Sequence, residues 1–242
     1  MVFPNLRVEL VKSFIDLNEH FFFEKKMKAF YKSIDMPHVV IDVGANKGQS
    51  IDFFLKINPE CKIFAIEPNR VLFDLLIKKY SGNKNIKLFN FGISDVEGEK
   101  LFNENVLDYT STFETLNVNS EYLKKKTRIL GVTTGNIITK SYNVKTLTLS
   151  KFIQENLHGK TIDVLKIDTE GHEYHCLTGL FNEPSSSVIK YIQMENHNDD
   201  MYENSISFIE INRLLNINKY CECAKIKHGF GDFDEVVYCY IT

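Results

Sequence analysis

His38-Val39-Val40-Ile41-Asp42-Val43-Gly44-Ala45-Asn46-Lys47-Gly48 is the stretch whose reading decides the fold. A hydrophobic run ends in an acid, a glycine-bearing turn follows at once, and Ser50 to Leu55 then begins a helix. A buried parallel strand that stops in such a turn aims backbone N–H groups at a ligand. Gly44 lets the backbone come close, Asn46 takes the left-handed conformation almost as readily as glycine, and Gly48 lets the helix pack near the strand. The stretch reads as a nucleotide-cofactor turn.

Outward from that turn, strands and helices alternate. Lys62 to Ile66 reads as a strand closed by Glu67-Pro68, Arg70 to Tyr80 as an amphipathic helix, and Ile86 to Phe91 as a third strand followed by Gly92-Ile93-Ser94-Asp95. Residues 96–148 break the rhythm with polar, turn-rich sequence and short alternating pieces, which predicts a hairpin or an irregular insertion. Helix returns over Leu149 to Leu157, strand over Asp163 to Ile167, a short helix over Tyr174 to Phe181, strand over Val188 to Met194 and helix over Ser205 to Ile217. Cys221 to Lys227 and Glu235 to Ile241 close the chain as two strands around a short turn, so they must run antiparallel. Upstream, apolar residues at helical spacing from Leu6 to Ile34 predict one or two helices before Met36-Pro37 breaks them. The domains expected are a helical extension over 1–36 and one main domain over 37–242 carrying the 96–148 insertion. Alternation of this kind predicts a parallel sheet covered by helices.

The bulk properties narrow the class. A chain of 242 residues with 43% hydrophobic content can bury one large α/β core. A net charge of -3 gives no reason to expect nucleic acid. No apolar run is long enough to span a bilayer, and the first residues lack a signal-peptide core. Five scattered cysteines then read as reduced thiols in the cytoplasm. Cys221 and Cys223, two apart in a strand, suit neither a zinc knuckle nor a redox pair, and Lys124-Lys125-Lys126 reads as a solvated face.

Ligands bind at the carboxyl ends of parallel strands, which groups three segments. The Asp42, Gly44, Asn46 and Gly48 turn follows the first strand, Glu67 ends the second and is placed to accept both ribose hydroxyls, and Ser94-Asp95 after the third could hold an adenine edge. The competing readings are a plain turn, and an acid that only caps the next helix. The dinucleotide pattern needs Gly-x-Gly-x-x-Gly, whereas here three residues separate the first two glycines and no third follows in place. A pyrophosphate is poorly accommodated; a nucleoside cofactor without phosphate, S-adenosylmethionine, fits better.

With those residues in hand, the chain resembles the FkbM family of S-adenosylmethionine-dependent methyltransferases. The matching blocks are Ile41 to Gly48, Phe64-Ala65-Ile66-Glu67-Pro68-Asn69, and above all Leu165-Lys166-Ile167-Asp168-Thr169-Glu170-Gly171-His172-Glu173, with Leu177-Thr178-Gly179 after it. Lys145 to Phe152 resembles the family's lead-in to the fourth strand, except that Ser150 stands where an Asp is usual. The resemblance implies an α/β, Rossmann-like, seven-stranded and mainly parallel sheet with helices on both faces, here ending in the antiparallel hairpin. It also implies O-methylation of a sugar, glycan or hydroxylated small molecule.

The chemistry is expected after the fourth and fifth strands. Asp168, Glu195 and Asn196 offer two carboxylates and an amide oxygen, a hard set suited to Mg²⁺ (or Mn²⁺), and the layout resembles that of catechol-type and some sugar O-methyltransferases. The alternative is that Asp168 caps a helix and Glu195-Asn196 bind substrate by hydrogen bonds. Candidate bases are His172, Glu170 and Asp168; Lys166 shares a strand face with Asp168 and could pair with it. His197 and Tyr109-Thr110-Ser111-Thr112 are further contact candidates, with packing and a plain turn as their competing readings. The expected partner is a small-molecule or glycan acceptor. Other functions to weigh are a non-catalytic cofactor- or glycan-binding protein on the same fold and a small-molecule N-methyltransferase. The chain has no Asn-Pro-Pro-Tyr or Asp-Pro-Pro-Tyr motif that would favour a nucleic-acid base.

Overall fold

Helix α1 (Glu24–Ser33) leads through Met36-Pro37 into strand β1 (Val39–Val43), whose last four residues are buried. The computed structural model describes residues 24–106, 111–131, 133–184, 186–197, 200–203, 206–227 and 233–241. The helical reading of Leu6 to Phe23 lies outside these residues. Helix α2 (Gln49–Ile57), strand β2 (Lys62–Ile66) and helix α3 (Arg70–Tyr80) follow with the bounds the sequence predicts. Asn69 caps α3, its side chain accepting from the backbone N–H groups of Val71 and Leu72, and Pro68 ahead of it prevents the helix from starting earlier.

Strand β3 (Ile86–Phe89) is shorter than expected. Asn90 turns the chain by donating its side-chain amide to the carbonyls of Glu67 and Pro68 at 2.8 and 3.1 Å. Gly92–Ile93 then forms β4, which belongs to a second sheet with β5 (Gly98–Asn105) and β6 (Ile138–Leu147), in the order β4-β6-β5. Ser94-Asp95 therefore follow a strand of this smaller sheet, not the third strand of the main one, which corrects the sequence placement. The insertion also holds a helix the sequence reading did not give, α4 (Glu121–Leu130). Its lysine run hid the pattern, because little more than Leu123 faces inward, against Leu116, Ile137, Met201 and Tyr202.

Helix α5 (Leu149–Leu157), β7 (Thr161–Ile167), α6 (Glu173–Phe181), β8 (Val188–His197), α7 (Phe208–Ile217), β9 (Tyr220–Lys227) and β10 (Phe233–Tyr240) complete the chain. The main sheet has seven strands in the order β3-β2-β1-β7-β8-β10-β9. Strands β3, β2, β1, β7 and β8 are parallel, and β10 is antiparallel to both β8 and β9. The terminal hairpin is present as expected, with β10 inside and β9 at the edge. The order reverses at β1, which opens a crevice at its carboxyl end between β2 and β7.

Alternating side chains send one apolar set to each face. Ile41, Val43, Leu165, Ile167, Ile192 and Met194 pack under α5, α6 and α7; Val40, Ile63, Val164 and Val237 pack under α1 and α2. Burying Phe54 of α2, 1% exposed, is worth about 1.5–3 kcal/mol. The second face also carries a buried polar chain. Tyr31 of α1 donates to Gln193 Oε1 at 2.5 Å, and Gln193 Nε2 donates to Glu235 Oε1 at 2.5 Å. Tyr31→Phe should cost about 1–3 kcal/mol by stranding a buried acceptor. Urea unfolding measures this, and a change below about 0.5 kcal/mol would show that the bond does not anchor α1.

All five cysteines are free thiols. No helix among the described residues is long and apolar enough to cross a membrane.

Candidate cofactor and active site

The turn after β1 is built by backbone that only a few residue types can adopt. Gly44, Asn46 and Gly48 have φ of 86°, 48° and 84°. The N–H groups of Gly44 and Ala45 both donate to the Ile66 carbonyl, at 3.0 and 3.1 Å, which pins the turn to the end of β2. Gly48 starts α2 without a side-chain cap, so the helix end offers backbone donors toward the crevice. On the other side the turn presses on β7: a Cβ at Gly44 would lie 1.9 Å from the Asp168 carbonyl oxygen. The Asp168 N–H in turn donates to the Val43 carbonyl at 3.0 Å.

Glu67 stands at the end of β2 as expected. Its Oε2 accepts from the Asn46 N–H at 2.7 Å and its Oε1 from the Asn69 N–H at 2.8 Å. Each oxygen keeps acceptor capacity for a ribose hydroxyl. Burial pushes the carboxyl up to about 7, against the pull of the two N–H donors. A carboxyl raised in the folded state binds a proton that the unfolded chain has released. Its contribution to stability is therefore complete below the ordinary value of 4.5 and falls as pH rises toward 7. Hydroxyl donors need the ionised form, so S-adenosylmethionine should bind more tightly as pH rises between about 6 and 8. Calorimetric titration across that range tests this. Glu67→Gln should flatten the profile, and identical profiles for the two proteins would refute the role of Glu67.

Asp42 does not reach the crevice. It is wholly buried beneath the turn, and burial pushes its carboxyl up to about 6, with Lys166 opposing. Lys166, the register neighbour of Asp42 on β7, donates to Asp168 Oδ2 at 2.7 Å. Burial works against the Lys166 charge, but the carboxylates of Asp168, Asp42 and Glu235 outweigh it and raise its pKa. The expected Lys166–Asp168 pair is thus present, and Asp42 adds a second negative charge beside the lysine.

Past Asp168 the chain turns through Glu170, at φ 53°, and Gly171, at φ 94°. Glu173 holds this loop: its Oε1 accepts from the N–H groups of Thr169 and Gly171 and from the Thr169 hydroxyl, at 2.9, 3.2 and 3.1 Å. The sequence block ends on Glu173, yet the sequence reading gave it no role. Tyr202 lies over Gly171, where a Cβ would meet its ring at 2.6 Å, and donates its hydroxyl to Glu170 Oε2 at 3.1 Å.

One oxygen each from Asp168, Glu170 and Glu195 lie within 4.8 Å of one another, and all three residues are partly exposed. Asn196 is not part of this set. Successive residues of a strand point to opposite faces, and Asn196 lies on the Ile192 and Met194 side, 3% exposed. Glu170 takes the place expected for it, because the left-handed turn folds its side chain back toward the strand ends.

His172, read as a base, is committed elsewhere. The ring is 1% exposed, with Nδ1 2.5 Å from Glu114 Oε1 and Nε2 2.9 Å from the Ser94 hydroxyl. Burial pushes its pKa down, against the pull of Glu114. Ser94 is wholly buried and donates to Asp95 Oδ1 at 2.8 Å. Asp95 is taken by Lys100 at 3.0 Å and faces His175 at 3.3 Å. Burial acts against the Asp95 charge, but Lys100 and Ser94 outweigh it and hold the carboxyl far below its usual range. The Ser94-Asp95 pair is therefore bonded into this inner cluster. Glu114 and His175, which complete it, carried no sequence signal beyond the His-x-x-His spacing. Thr112, at the end of the small-hydroxyl segment, donates to the Glu170 carbonyl at 2.7 Å, while Tyr109 and Thr110 lie outside the described residues. The side chain of His197 also lies outside them.

A family model described as the methyltransferase FkbM domain matches residues 42–225. No curated protein matches the chain. Among solved structures, an S-adenosylmethionine-dependent methyltransferase from Aquifex aeolicus is similar at 13% identity, with a TM-score of 0.48, over 96% of this chain and 97% of that one. A bacterial Hen1 methyltransferase domain is similar at 9% identity, with a TM-score of 0.49, over 90% of this chain and 97% of that one.

Proposed function

The chain belongs to the FkbM methyltransferase family, and from that premise we propose that it moves the methyl group of S-adenosylmethionine to a hydroxyl oxygen of a sugar, glycan or other hydroxylated small molecule, assisted by a divalent cation. That it is an S-adenosylmethionine-dependent methyltransferase follows from the family; the acceptor and the cation are our reading. The observation behind this reading is the convergence of Asp168, Glu170 and Glu195 beside the Gly44 turn.

The three oxygens are hard donors and fit Mg²⁺ or Mn²⁺. Such an ion, when bound, makes a neighbouring hydroxyl easier to ionise. The rest falls to the chain's own residues. The Gly44–Gly48 turn and Glu67 hold the nucleoside so that the sulfonium methyl faces the β7 and β8 ends. The acceptor oxygen attacks the methyl carbon in line, the carbon–sulfur bond breaks, and its electron pair stays on sulfur. The hydroxyl proton passes to a carboxylate of the cluster. Lys166 fixes the orientation of Asp168 through Oδ2. Alignment supplies roughly 7–11 kcal/mol in favourable intramolecular cases.

A mass-spectrometric screen of hydroxylated and amine acceptors for gain of one methyl group tests the proposal. Transfer should occur to oxygen, stop in EDTA and return with Mg²⁺ or Mn²⁺. Methylation confined to nitrogen acceptors would refute the hydroxyl reading, and turnover unchanged in EDTA would remove the cation from it.

A further inference from the structure

A second cluster, built from other side chains than the oxygen-rich one, has a different chemistry. Glu114 from the loop after β5, and His172 and His175 at the start of α6, place one ligand atom each within 4.8 Å of one another. His172 is the N-cap of α6 and His175 lies one turn on, so their rings stack at 4.6 Å with 22° between planes.

The hydrogen bonds fix which nitrogen of His172 carries a proton. The Ser94 hydroxyl gives its single proton to Asp95, a carboxylate that only accepts. Ser94 must then receive the Nε2–H of His172 at 2.9 Å. His175 turns Nδ1 toward Asp95 Oδ2 at 3.3 Å. The remaining nitrogens, His172 Nδ1 and His175 Nε2, both turn on Glu114 Oε1, at 2.5 and 4.0 Å. Lone pairs that face each other at 2.5 Å need a proton or a cation between them.

We propose that Glu114 Oε1, His172 Nδ1 and His175 Nε2 form a binding site for a transition-metal dication of the Zn²⁺ type. Two imidazoles and a carboxylate are a known zinc ligand set that leaves a fourth position for water. Bonds of about 2.0–2.1 Å in a tetrahedron set neighbouring ligands roughly 3.3 Å apart. Opening the shorter contact and closing the longer one, each by under about 1 Å, brings both nitrogens to that distance from Glu114 Oε1. The other nitrogen of the His172 ring is already bonded to Ser94, and that of His175 faces Asp95, the placing that metal-bound imidazoles require. The ion would clamp the insertion onto α6 just past the Asp168–Glu170 loop. This proposal is independent of the acceptor and of the Mg²⁺ reading, because the ligand sets differ in hardness.

Co²⁺ titration of EDTA-dialysed full-length protein tests the site, read by the visible absorption of a low-coordinate Co²⁺ and reversed by Zn²⁺. One equivalent should bind with that low-coordinate spectrum. Asp95→Asn should weaken binding about 10–100-fold, and Glu114→Gln and His175→Ala by at least as much, whereas Glu195→Gln should leave it unchanged. Circular dichroism of each variant separates lost folding from lost binding, and His175 is exposed enough to be replaced safely. Absence of the cobalt spectrum in the wild-type protein would overturn the proposal. So would binding that survives both ligand variants, or binding that disappears in Glu195→Gln alone.

Discussion

Gly44→Ala is expected to abolish cofactor binding and to cost about 3–5 kcal/mol of stability. Two penalties add. An alanine at φ 86° is strained, and its Cβ would lie 1.9 Å from the Asp168 carbonyl oxygen. That oxygen is backbone, so it cannot rotate away; either the turn leaves β2 or the end of β7 moves. Both displacements disturb the Ile66 and Val43 carbonyl contacts that hold the crevice together. Gly82 supplies the control. It has φ 88°, but nothing lies within 4 Å of an added Cβ. Gly82→Ala should therefore show the conformational penalty alone, about 1–3 kcal/mol, with cofactor binding intact. Denaturant unfolding and calorimetric titration with S-adenosylmethionine measure both proteins. A Gly44→Ala protein that bound the cofactor normally would show that the turn does not form the site.

Asp168→Asn should lower methyl transfer about 10²–10⁴-fold while leaving the cofactor affinity nearly unchanged. The amide keeps the shape but removes the charge that, in the proposed reaction, receives the hydroxyl proton. It also leaves Lys166, 9% exposed, without its closest carboxylate, so stability should fall too. The double variant Lys166→Met with Asp168→Asn separates the effects: stability should recover in part, and activity should not. Turnover within a few-fold of the wild-type protein would take Asp168 out of the chemistry.

The elements around the β1 turn were legible because their signals are local. The run from Val39 to Val43 is apolar and ends where Gly44, Asn46 and Gly48 supply three positive φ values, and Glu67 closes β2 at the distance the motif demands. The Lys166–Asp168 pair was legible from strand periodicity. The helix at Glu121–Leu130 was not, because a surface helix with one deeply buried leucine leaves almost no apolar period. Ser94 and Asp95 were misplaced for a different reason. Asn90 bends the chain out of the main sheet by bonding Glu67 and Pro68, and such a contact has no signature in the adjoining residues.

By itself, the sequence determined the order of strands and helices outside residues 90–148, the glycine turn after β1 and the acid that closes β2, since each depends on period, glycine and capping within a few residues. Tertiary structure alone decided which acids share a crevice. Strand alternation sent Asn196 to one face and Glu195 to the other, and the left-handed Glu170 filled the place. The same holds for Ser94, Glu114, His172 and His175, four residues from three segments that meet only after the insertion folds back on α6. Contacts of that kind depend on register and crossover between distant segments, which the local pattern of residues does not encode.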